Sequence, residues 1–201
     1  MTSHLPLPTI FLARHGETAW SLSGQHTGRT DLPLTARGVD NARRLGQRLA
    51  GLPFARVFTS PLQRARTTCE QAGYATAAVV DPNLLEWDYG DYEGKTRAEI
   101  LGVNPDWNLF RDGCPGGESP AQITARADRF IQRLRSDPTD ALVFSSGHFL
   151  RVLAARWIGL SCDLLSPHLQ LDTASLSLLG YDRSLSQPVI RLWNDHQHAI
   201  A

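Results

Sequence analysis

Arg14 and His15 follow an apolar run at residues 9–12, with only Ala13 between the run and Arg14. Such a run is typical of a buried strand that ends where polar residues begin. The carboxyl ends of strands are where open α/β sheets bind ligands. Arginine offers a fixed fork of hydrogen-bond donors for phosphate, and neutral histidine is a nucleophile that can later leave again. The pair therefore predicts a phosphoryl-transfer site with His15 as the nucleophile.

A second strand end carries another arginine. Residues 56–60 predict a short strand, and Ser60 and Pro61 predict that a helix follows, with Ser60 as N-cap and Pro61 as its first residue. Arg64 would then lie one turn into this helix, close to free backbone N–H groups that favour anions.

A third strand end supplies a second histidine. Residues 141–146 predict a strand that ends at Gly147 and His148, and residues 149–159 predict the helix that follows. If the three strands are parallel neighbours, their polar side chains meet at one edge of the sheet.

The remaining chain predicts one α/β domain over residues 1–201. We expect a three-layer α/β/α sandwich with a mostly parallel central sheet, one strand of which is antiparallel, and a small insertion over the carboxyl ends of the strands at about residues 87–118. The other predicted elements are helices at 35–52, 97–101 and 119–135 and strands at 77–80, 175–179 and 189–193.

Composition limits the classes of function. The 201 residues contain 20 basic and 20 acidic side chains, which gives no charge argument for binding nucleic acid or a membrane. The apolar runs are too short to span a bilayer, and the N-terminus lacks the features of a signal peptide. Three widely spaced cysteines are too few for a disulfide framework. We therefore expect a cytoplasmic protein.

These motifs together resemble the histidine phosphatase superfamily, the phosphoglycerate-mutase-like proteins. The similarity runs in order through residues 14–18, 27–28, 31–38, 60–65, 85–94, 117–119 and 147–148. Within the superfamily, residues 24–28 and 107–114 look like the fungal sedoheptulose bisphosphatase branch. The resemblance implies a metal-independent phosphomonoesterase with no cofactor, acting on a small phosphorylated metabolite, and it allows a homodimer.

The resemblance also implies roles for five catalytic residues. His15 would become a phosphohistidine, while Arg14, Arg64 and His148 would surround the phosphate oxygens. Glu86 matches the acid/base position of the family, because a carboxyl beside a bound phosphate can protonate the leaving oxygen and later accept a proton from water. Three nearby carboxylates stay as alternatives: Asp88, Asp91 and Glu93.

Six further residues are predicted to bind substrate: Ser21, Thr27, Gly28, Tyr89, Arg97 and Arg151. Thr27 would offer its hydroxyl and Gly28 its backbone N–H to phosphate. Arg97 and Arg151, with Lys95 and Arg111, are candidates for a second anion, and Arg151 would lie in the first turn of a helix that begins at residue 149.

The residues leave several functions open. Besides a sugar phosphatase or bisphosphatase, the chain could be a phosphoglycerate mutase, a phosphoprotein phosphatase or a non-catalytic binding domain on the same fold. The mutases carry a longer insertion than the 23 residues between Gly94 and Glu118, so the shorter segment favours hydrolysis.

Overall fold

The computed structural model describes residues 7–199, which form a six-stranded sheet in the order β3-β2-β4-β1-β5-β6. The strands are β1 (Ile10–Arg14), β2 (Arg56–Thr59), β3 (Ala78–Val80), β4 (Ala141–Ser145), β5 (Leu176–Tyr181) and β6 (Pro188–Asp195). β4 pairs in parallel with both β1 and β2, and β5 runs antiparallel to both of its neighbours. The predicted α/β fold with a mostly parallel sheet is confirmed, and the three strands that precede the candidate residues are neighbours.

Helices cover both faces of the sheet. They are α1 (Ala19–Ser23), α2 (Ala36–Leu49), α3 (Gln63–Gln71), α4 (Arg97–Val103), α5 (Leu109–Asp112), α6 (Pro120–Arg135), α7 (Gly147–Trp157) and α8 (Cys162–Leu165). Leu45 of α2 and Cys69 of α3 pack against one apolar face of the sheet. Phe130 of α6 and Phe149 of α7 belong to the cluster on the other face. The layers are therefore α/β/α.

The predicted start of α3 is wrong. Ser60 is still tied to the sheet, because its backbone N–H donates to Phe144 O at 2.9 Å. Its hydroxyl lies 3.4 Å from the N of Leu62, which is the N-cap residue, and the helix begins at Gln63. Arg64 is therefore the second residue of α3 rather than one turn further in.

The start of α7 also differs from the prediction. The helix begins at Gly147 after Ser146, two residues earlier than expected. Arg151 is consequently the fifth helical residue and lies beyond the first turn. The argument that free N–H groups of the first turn would assist Arg151 in binding an anion therefore fails.

The segment of residues 87–118 contains α4 and α5 and packs on the α6–α7 side. Trp87, Trp107 and Phe110 are buried in the same cluster as α7. An isolated antiparallel bridge between Gln25 and Thr96 joins the segment to the loop that follows α1. Across residues 7–199, no helix combines the length and apolar character needed to cross a membrane.

Candidate active site

A cavity of about 180 Å³ opens at the carboxyl ends of β1 and β4. Eight of the eleven predicted site residues line it: Arg14, His15, Ser21, Thr27, Glu86, Tyr89, His148 and Arg151. The sequence had assigned no site role to six other lining residues: Trp20, Gly24, Gln25, His26, Gly147 and Leu171. Arg64, Gly28 and Arg97 lie elsewhere, as described below.

Close backbone packing sets the position of the loop after β1. A Cβ atom on Gly16 would lie 2.4 Å from Gly38 O, and one on Gly38 would lie 2.3 Å from Glu17 O. Side chains at either glycine would push the start of α2 away from the end of β1. The two glycines thus allow the loop after β1 to pack directly against the start of α2.

His15 is held by its backbone and by one ring nitrogen. Its N–H donates to Ser145 O at 2.9 Å, and its carbonyl accepts from Ala174 N at 2.9 Å. Nδ1 lies 2.8 Å from Gly16 O. Because a carbonyl only accepts, Nδ1 carries the proton, and the lone pair of the neutral ring is on Nε2. This tautomer leaves Nε2 able to act as a nucleophile.

The surroundings of His15 keep the ring neutral. The side chain is 4% exposed, and burial, followed by the charges of Arg64 and Arg14, lowers the pKa of His15 well below 6.5. A neutral imidazole is the form that nucleophilic attack requires.

The same pKa shift predicts a pH dependence of stability. Below pH 6.5 the unfolded His15 ring binds a proton that the folded ring does not bind, so the free energy of unfolding must fall as the pH falls. The slope from this one group approaches about 1.4 kcal/mol per pH unit. Denaturant unfolding of His15→Gln should show a shallower loss towards acid than wild type. His168→Gln, a change at an exposed histidine, is the control and should keep the wild-type slope; an unchanged slope in His15→Gln contradicts the prediction.

Arg14 and Arg64 each keep one buried N–H without a protein partner. Arg14 Nη1 donates to Leu171 O, and the Nη atoms of Arg64 donate to the carbonyls of Thr27, Gly28 and Thr30 at 2.9–3.0 Å. The Nε atoms of both arginines are buried and lack a hydrogen-bond partner among residues 7–199. Unpaired buried donors are costly, so these two N–H groups are suited to an anionic ligand.

Arg64 lies behind the wall of the cavity rather than on it. Its side chain is 0% exposed, yet its charge is among the causes that lower the pKa of His15. Burial also lowers the pKa of both guanidinium groups from 12.5, although an arginine stays charged in proteins.

The Gly28 N–H, which the sequence predicts to contact phosphate, has a carboxylate as its acceptor in this structure. It donates to the Glu93 carboxylate at 2.9 and 3.0 Å, and the N–H of Thr30 donates to the same group at 3.0 Å. Glu93 therefore shapes the loop whose carbonyls hold Arg64. Thr27 lines the cavity, but its hydroxyl lies 3.3 Å from Gln25 O as a donor.

Ser21 also spends its hydroxyl inside the protein. Its Oγ donates to Thr18 O and accepts from Thr18 N, both at 2.9 Å, in the capping box of α1. Of the alternative carboxylates, Asp88 accepts from the Gly90 N–H and pairs with Arg29 at 3.2 Å. Neither Asp88, Asp91 nor Glu93 lines the cavity, whereas Glu86 does.

Glu86 links the loop after β3 to the start of α7. Its Oε1 accepts from the N–H groups of Trp87 at 2.9 Å and Phe149 at 2.8 Å, and its Oε2 accepts from the His148 N–H at 2.9 Å. No side-chain cap comes from Ser146, so this carboxylate replaces one. A negative charge also interacts favourably with the positive end of a helix.

His148 and Tyr89 form a second oriented pair. The Tyr89 hydroxyl lies 2.5 Å from His148 Nδ1. Burial, with Glu86 as the next cause, raises the pKa of Tyr89 well above 10.0, and burial lowers the pKa of His148 well below 6.5. With both groups neutral, the phenol can donate to Nδ1, and in that tautomer the ring proton is on Nε2. His148 can donate from Nε2 to an oxygen in the cavity.

A second cavity, of about 300 Å³, adjoins the first and shares His26, His148 and Arg151 with it. Arg97 lines this second cavity, together with Trp107 and Phe110. The two cavities together fall within the range of roughly 300–1,000 Å³ that is typical of small-molecule sites. Of the other basic candidates, the Lys95 ammonium lies over Tyr92, and Arg111 is paired with Asp112 outside both cavities.

Sequence reasoning missed one positioning side chain, Arg126 of α6. Its guanidinium pairs with Glu118 at 2.8 Å and donates to the carbonyls of Asn83, Leu85 and Glu86. It therefore fixes the backbone on which Glu86 stands. Its position three residues after Ile123, on the apolar stripe of α6, is the signal that could have revealed it.

The fold and the cavity define an α/β protein in which the carboxyl ends of the strands bring a neutral histidine and Arg14 to one cavity, with the buried charge of Arg64 next to them. Within residues 7–199, no group of three or more His, Cys, Asp or Glu side chains could hold a metal ion. Residues 10–196 match the family model "Histidine phosphatase superfamily (branch 1)". The chain belongs to the histidine phosphatase superfamily.

Proteins similar to this chain include phosphatases. An acid phosphatase from Mycobacterium tuberculosis is 38% identical over 196 residues, covering 96% of both chains. The sedoheptulose 1,7-bisphosphatase of Saccharomyces cerevisiae is 39% identical over 185 residues, covering 76% of this chain and 68% of the yeast protein. A solved structure of a Mycobacterium tuberculosis open reading frame superposes with a TM-score of 0.88 at 36% identity, covering 94% of this chain and 99% of that one. The chain is thus a phosphatase of the histidine phosphatase type.

Proposed function

We propose that this phosphatase hydrolyses a sugar phosphate or bisphosphate through a phosphohistidine on His15. The observation that carries the proposal is the neutral His15 ring, with its lone pair on Nε2, close to two arginines whose buried Nε atoms have no hydrogen-bond partner within residues 7–199. A nucleophile and unused anion donors in one place are what phosphoryl transfer requires. The proposed catalytic set is His15, Arg14, Arg64, His148 and Glu86.

In the first proposed step, His15 Nε2 attacks phosphorus and the ester P–O bond breaks. Arg14 and the Nε2–H of His148 hold the non-bridging oxygens as charge moves onto them, and the buried charge of Arg64 adds to the positive potential at the site. The leaving sugar oxygen takes its proton from the Glu86 carboxyl. The products are a phosphohistidine, the free alcohol and the Glu86 carboxylate.

In the second step, water attacks the phosphohistidine and the P–N bond breaks. Glu86 now accepts the proton from water, which returns it to the protonated form, and His15 regains its lone pair. Inorganic phosphate leaves. A single carboxyl group therefore serves as the acid in the first step and as the base in the second.

A panel of phosphorylated metabolites, with release of inorganic phosphate as the readout, tests this function. We expect release from sugar phosphates. A phosphoglycerate mutase would instead move phosphate between positions of one substrate with little release, and a non-catalytic domain would release none. The segment between Gly94 and Glu118 has 23 residues, shorter than the insertion of the mutases, and this supports hydrolysis over phosphate transfer.

The second cavity supports a bisphosphate as the preferred substrate. Arg97 is exposed and has no ion-pair or hydrogen-bond partner in residues 7–199. The Arg151 guanidinium uses two donors on Ser166 O and Pro167 O and stacks on Phe110. Burial lowers its pKa to about 10, so it stays largely cationic at neutral pH. A second phosphate between these two cations would be attracted by both.

We expect wild type to prefer a sugar bisphosphate over the matching monophosphate in kcat/KM. Arg151→Ala should reduce that preference by roughly 10- to 100-fold, the range for hydrogen bonds to charged groups. Arg97→Ala should reduce it less, because an exposed charge is screened by solvent. Arg183→Ala, a change in a side chain that is 86% exposed, is the matched control and should leave the preference unchanged. Equal kcat/KM for both substrates in wild type rules out the second anion site.

Cytoplasmic location and a homodimer stay predictions. The three cysteines, Cys69, Cys114 and Cys162, are free and buried, which fits a reducing compartment.

A further inference from the structure

His26 stands on the wall that the two cavities share. The backbone around it is tied to the 94–96 segment: its N–H donates to Lys95 O at 2.9 Å, and its carbonyl accepts from Gly94 N at 2.9 Å. The ring lies edge-on to Tyr89 and Trp107, with centroid distances of 4.8 and 5.7 Å. It is also parallel to the ring of His148 at 6.0 Å. The side chain therefore has one defined orientation.

The contacts of His26 also define its tautomer. Nδ1 lies 2.8 Å from Lys95 O, which can only accept, so Nδ1 carries the proton. Burial lowers the pKa of the ring from 6.5, which keeps it neutral near pH 7. Nε2 then holds a lone pair, and no donor from residues 7–199 is directed at it.

The polarity of this nitrogen is opposite to that of the groups around it. Arg14, Arg64 and His148 present donors, which suit a phosphate anion. A lone pair on Nε2 repels a phosphate oxygen but accepts a hydrogen bond from a hydroxyl group. Between the proposed phosphate site and the Arg97–Arg151 cavity, it lies where the carbon chain of a substrate would pass.

We infer that His26 is a specificity-determining residue whose Nε2 accepts a hydrogen bond from a hydroxyl on the carbon chain of the substrate. This inference rests on the proposed function and adds a substrate class: phosphomonoesters of polyhydroxylated chains, in preference to alkyl phosphates of the same length. A site built to bond a hydroxyl rejects an analogue that lacks it, because its own polar group is then left unpaired.

The test compares erythritol 4-phosphate with n-butyl phosphate on wild type and His26→Asn. The amide N–H of asparagine can replace the Nδ1–H bond to Lys95 O, but asparagine has no atom at the position of Nε2. We expect wild type to prefer the polyol phosphate in kcat/KM and the ratio between the two substrates to fall by about tenfold in His26→Asn, the effect of one neutral hydrogen bond. His168→Asn changes an exposed histidine outside both cavities and should keep the wild-type ratio.

Calorimetric binding of the same two compounds gives a second readout that does not depend on turnover. If wild type hydrolyses neither these two compounds nor any sugar phosphate of the panel, the proposed function fails, while tighter polyol binding that His26→Asn removes would still support the hydroxyl contact. A wild-type protein that neither binds nor turns over the polyol phosphate better than the alkyl phosphate overturns the inference. So does an equal loss on both compounds in His26→Asn with an unchanged ratio.

Discussion

Phosphate release should be abolished in His15→Ala, while the fold is retained. The reason is that His15 holds its ring lone pair on Nε2 beside Arg14 and Arg64, whose charges help to keep the ring neutral, so the proposed covalent intermediate forms there. The variant should fall to the level of the reaction without a covalent route. Steady-state phosphate release is the measurement, and circular dichroism checks the fold.

Two further measurements make the His15 prediction specific. Wild type quenched in alkali during turnover should retain labelled phosphate on His15, and His15→Ala should retain none. Activity of wild type should persist in excess chelator, because arginines take the place of a metal as the charge clamp. Appreciable turnover by His15→Ala would exclude the covalent mechanism.

Glu86→Gln should lower turnover of alkyl phosphates by roughly 10²- to 10⁴-fold, the usual range for loss of proton-transfer assistance. The loss in the phosphorylation step should be much smaller with an aryl phosphate, whose leaving group needs no proton. Single-turnover kinetics with the two substrate types measures this step separately.

The structure adds a control to the Glu86 experiment. The Glu86 carboxylate accepts hydrogen bonds from three backbone N–H groups. In Glu86→Gln, the side-chain NH₂ group would face at least one of these donors and that hydrogen bond would be lost, so the variant should also be less stable. Thermal unfolding measures that loss independently of the kinetics. Equal impairment with alkyl and aryl substrates would show that Glu86 is structural, or that a neighbour such as Asp88 is the acid.

Local patterns predicted the frame of the site. The apolar runs that become β1, β2 and β4 each end at a change to polar residues, and parallel pairing then brings those ends together. The spacing of apolar residues also predicts the buried face of α6, where Ile123, Phe130 and Leu134 are all buried. Periodicity reports which side of an element faces the core, and that is enough to order the layers.

Contacts between distant segments could not be predicted. Glu86 and His148 are 62 residues apart, and Glu93 reaches Gly28 across 65. A sequence shows the residue types of such pairs but not which donor meets which acceptor. This is why the sequence predicts a phosphate contact for the Gly28 N–H, which in the structure donates to Glu93. It is also why the sequence does not show that Glu86 accepts from the Phe149 N–H at the start of the helix that carries Arg151.

The protonation state of Glu86 affects how strongly its carboxyl group binds the backbone at the start of α7. The charged carboxylate accepts hydrogen bonds from the N–H groups of His148 and Phe149. The protonated carboxyl group accepts such hydrogen bonds more weakly. In the proposed cycle Glu86 is protonated when the ester arrives and charged once the alcohol has left. In that cycle, the hydrogen bonds from the first turn of α7 to Glu86 are stronger while phosphate is on His15 than while the ester binds, so the protonation of Glu86 also affects how firmly the backbone of the donor His148 is held.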